Sequence, residues 1–241
     1  MESVVKIEVY PDDEAVARRA AAVIADAAHA AVASRGRFVM AISGGHTPWL
    51  MLRALAGDAL PWNEVHVLQV DERVAPAGDP DRNLTHLRDS LLDHAPLAPD
   101  HVHPMPVEAQ DLDRAAEQYG RTLQAVAGSP PVLDLVHLGL GADGHTASLV
   151  PGDPVLDVAD ADVAVTRPYQ GRRRMTLTFP IINRSRLILW LVTGGEKAQA
   201  LAHLRNRDRS IPGSCVDQER ALVLADRAAA ARLGSSENLE A

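Results

Sequence analysis

Cysteine and aromatic residues are scarce in this chain of 241 residues. Cys215 is the only cysteine, so the sequence offers neither an internal disulfide nor a site of several thiolates, which favours a reducing compartment. Aromatic residues make up 3% of the chain, so the core must be built from Ala, Val, Leu and Ile. The same scarcity argues against the stacking platforms that bind single-stranded nucleic acid.

Excess positive charge and long apolar runs are also missing. Lys and Arg total 24 against 32 Asp and Glu, which gives a formal charge of −8. Such a protein repels the phosphate backbone of nucleic acids, so any anionic ligand must be held by a few local cations and amides. The longest aliphatic run, at 187–192, is far too short to span a bilayer, and the first residues lack the apolar segment of a signal peptide. We therefore expect a cytoplasmic protein that binds neither nucleic acid nor membrane.

Short aliphatic segments alternate along the chain with longer helical patterns. Short β-branched segments bounded by Gly, Pro or Asp predict strands at 4–9, 38–42, 65–70, 133–138, 163–166, 175–178, 187–192 and 221–224. Helices are predicted at 13–34, 48–55, 83–94, 112–127, 196–206 and 227–233, and the first of them has one apolar stripe. The alternation predicts an α/β fold, with a mostly parallel sheet and helices on both faces. We expect one domain at 1–233, an irregular proline-rich excursion at 95–106 and a flexible tail at 234–241.

Ligands of such sheets bind beyond the carboxyl ends of the strands, where the first informative loop lies. Ser43-Gly44-Gly45-His46-Thr47 follows a predicted strand and opens a helix. Its glycines allow close backbone approach, the amides of a helix start bind anions, and Ser43 and Thr47 add hydroxyl donors. The alternative is a tight turn that needs glycine for its shape alone. Because the spacing matches neither a P-loop nor a complete dinucleotide fingerprint, ATP and NAD are not indicated.

The second loop, Asp71-Glu72-Arg73, comes directly after an apolar strand. Arg73 offers a planar fork that matches phosphate or carboxylate oxygens, and Asp71 could orient Arg73 or take part in proton transfer. The alternative is a solvated turn held by surface ion pairs.

The third loop contains three glycines within six positions, in Gly139-Leu140-Gly141-Ala142-Asp143-Gly144-His145. This composition predicts a backbone that folds closely around a ligand. A histidine with an ordinary pKa of about 6.5 is an efficient proton-transfer group, so His145 is the candidate catalytic residue, with Asp143 two positions before it. The alternative is a histidine that is structural or exposed.

Further candidates are cations and histidines with weaker signals. Lys197 follows a glycine turn and falls in the first turn of a predicted helix, where a cation opposes the helix dipole unless the amine faces a bound phosphate. A surface lysine is the alternative. His46 could reach a phosphate or face solvent, and the run at 172–174, which ends in Arg174, could rim an anion or be solvated. His101 and His103 share one face of an extended segment, but the sequence places no third ligand, so no metal site is predicted.

These motifs resemble the 6-phosphogluconolactonase family, the hydrolases of the oxidative pentose phosphate pathway. The resemblance covers nearly the whole chain and includes Asp81-Arg82-Asn83, Met175-Thr176-Leu177-Thr178 and Gly194-Gly195-Glu196-Lys197 besides the loops above. It implies the Rossmann-like fold shared with glucosamine-6-phosphate isomerase/deaminase and ribose-5-phosphate isomerase. It also implies hydrolysis of 6-phospho-D-glucono-1,5-lactone to 6-phosphogluconate without metal or cofactor.

The resemblance also assigns roles to single residues. The proton-transfer histidine of the family falls on His145, its phosphate-binding arginine and lysine on Arg73 and Lys197, and its strand-end aspartate on Asp71. Asp71 and Asp143 both stay open as the group that orients His145 or the sugar hydroxyls. The chain departs from the family pattern at His46, at Val150 and at 167–174, which leaves open whether Arg167, Arg173 or Arg174 contacts the substrate.

Two other functions remain as alternatives. A sugar-phosphate isomerase or deaminase of the same superfamily has a ring-opening carboxylate close after the histidine, whereas residues 146–152 contain no Asp or Glu. A non-catalytic sugar-phosphate sensor would not need a titrating histidine, and no helix-turn-helix or basic arm is evident in this sequence.

Overall fold

The computed structural model describes residues 5–234. The predicted flexible tail, apart from Gly234, lies outside the described residues. The strands are β1 (Lys6–Tyr10), β2 (Phe38–Ile42), β3 (Val65–Gln69), β4 (Asp71–Arg73), β5 (Val102–His103), β6 (Leu135–Gly139), β7 (Val163–Val165), β8 (Arg174–Leu177), β9 (Ile188–Val192) and β10 (Ala221–Asp226). The α-helices are α1 (Asp13–Arg35), α2 (His46–Ala56), α3 (Asn83–Leu87), α4 (Leu112–Ala127), α5 (Phe179–Arg184) and α6 (Ala198–Arg205).

Seven of these strands form one parallel sheet in the order β1–β10–β9–β6–β2–β3–β5. Alternate residues of β2 enter two different cores: Val39 belongs to the core that contains α4 and α6, and Phe38 and Met40 belong to the core that contains α1 and α2. A strand covered on both faces must be apolar throughout, which is why its sequence reads as a continuous aliphatic run. The predicted parallel sheet with helices on both faces is confirmed.

A second sheet of three antiparallel strands, in the order β4–β8–β7, was not predicted. The assignment of Asp71–Arg73 to a loop was wrong, because these residues pair with β8 in an antiparallel register. A strand of three charged residues shows no apolar alternation, so its sequence cannot reveal it. The proline-rich excursion likewise contains the two-residue strand β5, which pairs with β3 at the edge of the main sheet.

Several helix predictions also differ in detail. The helix expected at 83–94 is α-helical only over Asn83–Leu87 and continues as a π-helical turn over Arg88–Leu92. The helix expected at 227–233 is a 3₁₀ turn over Ala229–Arg232, and α5, which begins at the Thr178 cap with a proline in its first turn, was missed. No helix in the described part of the chain is long and apolar enough to cross a membrane.

Candidate active site

The described structure has a cleft of about 460 Å³ at the carboxyl ends of the parallel strands. Segments at or just beyond the carboxyl ends of five adjacent strands, β10, β9, β6, β2 and β3, contribute to its walls. Nine of the ten predicted site residues line it, namely Ser43, Gly44, Gly45, Thr47, Asp71, Arg73, His145, Arg174 and Lys197. The tenth, Asp143, does not line the cleft but contacts His145. The volume lies in the range of small-molecule sites.

The first loop passes under close steric constraint into helix α2. A Cβ on Gly44 would lie 2.1 Å from Oδ1 of Asn83, so only glycine fits without moving the asparagine. Gly45 caps α2 with a φ of 133°, a value that glycine tolerates, and no side chain of residues 5–234 caps the first-turn amides of that helix. These amides form the kind of anion site that the sequence predicts at a helix start.

One amide of this loop is already engaged with the protein interior. The Ser43 N–H donates to Nδ1 of His137 over 3.3 Å, so this N–H is not free for a ligand. His137 is fully buried in β6, and its burial lowers its pKa to about 3, so the imidazole is neutral at physiological pH. The Thr47 hydroxyl lies 2.7 Å from the Thr193 hydroxyl, which ties the first loop to the end of β9.

Two arginines face each other across the second sheet. Arg73 of β4 and Arg174 of β8 are direct partners in the antiparallel register, although like charges in that position destabilise a sheet. The Nε atoms of both are buried and have no hydrogen-bond partner within residues 5–234. Burial lowers the pKa of Arg174, and the charge of Arg73 adds to this effect while Asp71 opposes it. A bound anion would relieve this repulsion.

The structure also shows which of Arg167, Arg173 and Arg174 reaches the cleft. Arg174 lines it, whereas Arg167 and Arg173 do not. Arg173 instead points toward α4, where its Nη2 lies 3.9 Å from Oδ1 of Asp113. In a strand, alternate side chains face opposite sides, so neighbours in the sequence 172–174 cannot all serve one site.

Arg73 is oriented by a polar network that begins in the cleft wall, at Asn83, and continues into the buried interior. Its Nη1 donates to Oδ1 of Asn83 over 2.9 Å, and Nδ2 of Asn83 donates to the Asp71 carbonyl over 2.9 Å. Glu72, which is fully buried, accepts the Asn83 N–H and pairs with Nε of Arg82 at 3.0 Å. The network fixes the guanidinium through Nη1, while its buried Nε has no hydrogen-bond partner among the described residues.

His145 is held by Asp143 in a defined tautomer. Nδ1 of His145 lies 2.6 Å from Oδ1 of Asp143, which also accepts the His145 backbone N–H at 3.2 Å. Burial raises the pKa of Asp143, but the hydrogen bonds from His145 outweigh it and leave that pKa below its ordinary value. An ionised carboxylate only accepts, so the proton of neutral His145 is on Nδ1. Nε2 then carries the free lone pair on the residue that lines the cleft.

The structure distinguishes the two aspartates that the sequence left open. Asp71 is buried and accepts the Ser148 hydroxyl at 2.6 Å and Nδ2 of Asn83 at 3.2 Å. Among the described contacts it makes no hydrogen bond with His145, because Asp143 is the carboxylate bonded to the imidazole. Asp71 therefore supports the wall beside Arg73 and Arg174, and Asp143 orients the imidazole.

Lys197 reaches the cleft from the loop after β9. It ends a 3₁₀ turn over Gly195–Lys197 and precedes α6, so it lies before the helix rather than inside its first turn as predicted. Its amine is 3.9 Å from Oε1 of Glu196, a loose contact that leaves room for a second anionic partner. His46 is at the rim, with a side chain 81% exposed and Nε2 at 3.8 Å from Oδ2 of Asp13.

The cleft is not a uniformly positive surface. Its walls hold the cations Arg73, Arg174 and Lys197 and the carboxylates Asp13, Asp71, Glu196 and Asp226. Anion binding here must depend on the local placement of the cations, as the acidic composition predicts.

Sequence reasoning did not single out several lining residues. Asn83 belongs to a quoted motif but received no role, and Thr193, Asp226 and Asp13 were not considered as site residues. Thr193 follows β9 and Asp226 ends β10, so their positions at strand ends were a usable signal.

The two histidines considered for a metal lie away from this cleft. Nδ1 of His66, on β3, is 3.2 Å from Nε2 of His103, and the tilted ring of His101 lies near His66 with ring centroids 4.1 Å apart. Across the described residues, no group of three or more His, Cys, Asp or Glu is placed to hold a metal ion.

Comparison with known proteins gives consistent matches over most of the chain. The family model for glucosamine-6-phosphate isomerases/6-phosphogluconolactonase matches residues 11–224. The chain is 39% identical to a 6-phosphogluconolactonase of Mycobacterium tuberculosis, covering 95% of this chain and 98% of that protein. It is 38% identical to a 6-phosphogluconolactonase of Synechocystis sp., covering 83% and 84%. A solved 6-phosphogluconolactonase from Trypanosoma cruzi superposes with a TM-score of 0.87 at 26% identity, covering 98% of this chain and 99% of that one.

Proposed function

The chain belongs to the family of glucosamine-6-phosphate isomerases and 6-phosphogluconolactonases, and we propose that it hydrolyses 6-phospho-D-glucono-1,5-lactone to 6-phosphogluconate. This reaction is a step of the oxidative pentose phosphate pathway, and relatives that match almost end to end are named for it. The observation that carries the proposal is one cleft lined both by His145, which Asp143 holds from outside the lining, and by the opposed arginines Arg73 and Arg174. The pair supplies a proton acceptor, and the arginines supply a site for a phosphate.

The phosphate of the substrate binds, in this proposal, between the arginine pair, Lys197 and the start of helix α2. Arginine forks match phosphate oxygens in two parallel hydrogen bonds, and the amides at a helix start add donors. The anion neutralises the repulsion between Arg73 and Arg174. Binding energy gathered at the phosphate is remote from the reacting bond and serves to place C1 of the lactone near His145.

The chemical step needs one proton acceptor that later donates. Nε2 of neutral His145 takes a proton from water as the water oxygen attacks the lactone carbonyl carbon. The tetrahedral intermediate then collapses, the bond from C1 to the ring oxygen breaks, and the imidazolium returns its proton to that oxygen. Asp143 stabilises the imidazolium through Nδ1 in between. General acid–base help of this kind contributes roughly 10²–10⁴-fold.

The isomerase or deaminase reaction is not favoured, although the matching family model covers it. Sugar ring opening in the manner expected of those relatives needs a carboxylate close after the histidine. Residues 146–152 contain no Asp or Glu, and the polar side chains among them, Thr146 and Ser148, are buried. The cytoplasmic location, the lack of a cofactor and the lack of a nucleic-acid partner stay predictions from the sequence.

The test is hydrolysis of the phosphorylated lactone above its spontaneous rate, with the unphosphorylated lactone compared side by side. We expect turnover of the first and a much higher KM for the second. His145→Ala should lower kcat by about 10²-fold or more with little change in KM, whereas His94→Ala, an exposed histidine outside the cleft, should leave both unchanged. Absence of turnover, or release of ammonia from glucosamine 6-phosphate instead, would contradict the proposal.

A further inference from the structure

A tight hairpin stands next to the catalytic pair, in the segment where the sequence departs from the family pattern. Its turn is Gln170-Gly171, with φ of 51° and 81°. The flanking residues Tyr169 and Arg172 exchange both backbone hydrogen bonds, at 2.9 and 3.3 Å. Positive φ at both central residues is what a two-residue hairpin needs to follow the strand twist. The hairpin therefore presents Tyr169 in a fixed orientation.

The side chain of Tyr169 contacts three functional groups at once. Its hydroxyl donates to Oδ2 of Asp143 over 3.1 Å. Its ring meets the His145 ring edge-on, with centroids 5.7 Å apart, and Cζ of Arg174 lies 5.1 Å from the tyrosine centroid. Tyr169 is not among the residues that line the cleft, so it makes these contacts from outside the lining.

The hairpin is also anchored on its far side. Nη2 of Arg172 lies 3.3 Å from Oδ2 of Asp79 and 3.0 Å from Oδ2 of Asp81. This pairing ties the turn to the segment that leads into Asn83 and thus to the support of Arg73. The tyrosine is held in place by its backbone and by both neighbouring charged networks.

We propose that Tyr169 is the positioning residue that fixes the Asp143 carboxylate for His145, an inference that rests on the proposed lactonase function. Oδ1 of Asp143 is occupied by His145, and Oδ2 is occupied by Tyr169. The Asp143 side chain is 40% exposed, so packing alone does not hold its plane. The last torsion of an aspartate is broad, and without the tyrosine the carboxylate can turn away from Nδ1.

The ionisation states agree with this arrangement. The hydrogen bond from Tyr169 is one of the contributions that bring the pKa of Asp143 below its ordinary value against the effect of burial. Burial raises the pKa of Tyr169, and the bond to Asp143 raises it further, so the phenol keeps its proton and remains the donor. Groups that orient a catalytic side chain in this way are worth measurable activity although they touch no substrate.

The experiment compares Tyr169→Phe with Tyr10→Phe. Tyr10 makes the same kind of bond, from its hydroxyl to Oε2 of Glu8 at 2.8 Å, outside the cleft lining, and serves as the matched control. Tyr169→Phe keeps the ring and should lower kcat about tenfold with KM within about twofold, because a hydrogen bond to a charged group is lost. In an Asp143→Asn background the same change should cost little more, since the orienting carboxylate is already gone.

A second readout does not depend on activity. An NMR titration of the ligand-free protein should show a higher pKa for the Asp143 carboxyl in Tyr169→Phe than in the wild type, and no change in Tyr10→Phe. An unchanged kcat, an equal loss in the Asp143→Asn background, a rise in KM alone or an unchanged Asp143 pKa would each overturn the inference. A wild-type protein without lactonase activity would overturn the proposed function instead. The titration would still show whether Tyr169 is hydrogen-bonded to Asp143.

Discussion

In the proposed reaction, replacing Gly141 by alanine should separate the placement of the His145 imidazole from substrate binding. An ideal Cβ at this position would lie 2.1 Å from Nδ1 and 2.4 Å from Cε1 of His145, and 2.5 Å from Oδ1 of Asp143. Ordinary contact for such a carbon begins near 3.4 Å, so the imidazole must move away from it by more than about 1 Å and the carboxylate by about 1 Å. The backbone itself accepts alanine, because Gly141 is not among the residues with positive φ.

The size of the effect follows from this displacement. A misplacement of about 1 Å can cost roughly 10²-fold in rate, and the whole contribution of general acid–base catalysis is roughly 10²–10⁴-fold. We therefore expect kcat to fall about 10²-fold. KM should stay within about threefold, because Arg73, Arg174 and Lys197 lie on other elements and are untouched.

The assay is hydrolysis of the phosphorylated lactone, with thermal unfolding and circular dichroism as checks on the fold. Gly120→Ala in α4 is the matched control, since no described atom lies within 4 Å of the place that a Cβ would take there, and it should leave kcat and KM unchanged. A folded Gly141→Ala protein with kcat within about threefold of the wild type would refute the role given to the Asp143–His145 geometry. A large rise in KM with normal kcat would refute it as well.

Two further predictions concern charge. Arg73→Ala should raise KM for the phosphorylated lactone by at least about tenfold while KM for the unphosphorylated lactone hardly changes, and equal effects on both substrates would remove Arg73 from the phosphate site. Burial lowers the pKa of His137 from its ordinary value of 6.5 to about 3. Between these two pH values the unfolded chain binds a proton that the folded chain does not, so the free energy of unfolding must fall as the pH falls. His137→Asn keeps an acceptor for the Ser43 N–H. The unfolding free energy of this variant, measured by denaturant titration near pH 5, should depend on pH with a slope smaller by about one proton than in the wild type. An unchanged slope would show that His137 is protonated in the folded protein.

Local signals were sufficient for most of the parallel strands and for the longer helices. Helix α4 is found at 112–127 as predicted, since Asp111 precedes it and caps the Arg114 N–H at 3.0 Å. Strand β2 also has its predicted bounds, because burial on both faces demands a continuous apolar run. Strand β4 could not be predicted, since its three charged residues are stabilised by pairing with β8 and not by their own pattern.

The site was predictable as a set of loops but not as an arrangement. Glycines after a strand and before a helix mark where a backbone can approach a ligand, and parallel strands bring their carboxyl ends to one edge. These rules placed His145, Arg73 and Lys197 in candidate loops. They could not say that Asp143 rather than Asp71 holds the imidazole, because both aspartates lie within reach in the sequence pattern and only side-chain directions distinguish them.

The sequence by itself determined the parallel sheet, the edge at which the cleft lies and the residue types available there, because these follow from local composition and short spacings. The tertiary structure alone decided that Arg174 stands opposite Arg73 and that Tyr169 reaches Asp143. The first contact depends on the register between β4 and β8, which are distant in the chain, and a shift of one residue would turn Arg174 to the other face. The second depends on how the hairpin at Gln170-Gly171 packs against the loop after β6. Such a register is fixed by the packing of the whole domain, which no local pattern contains.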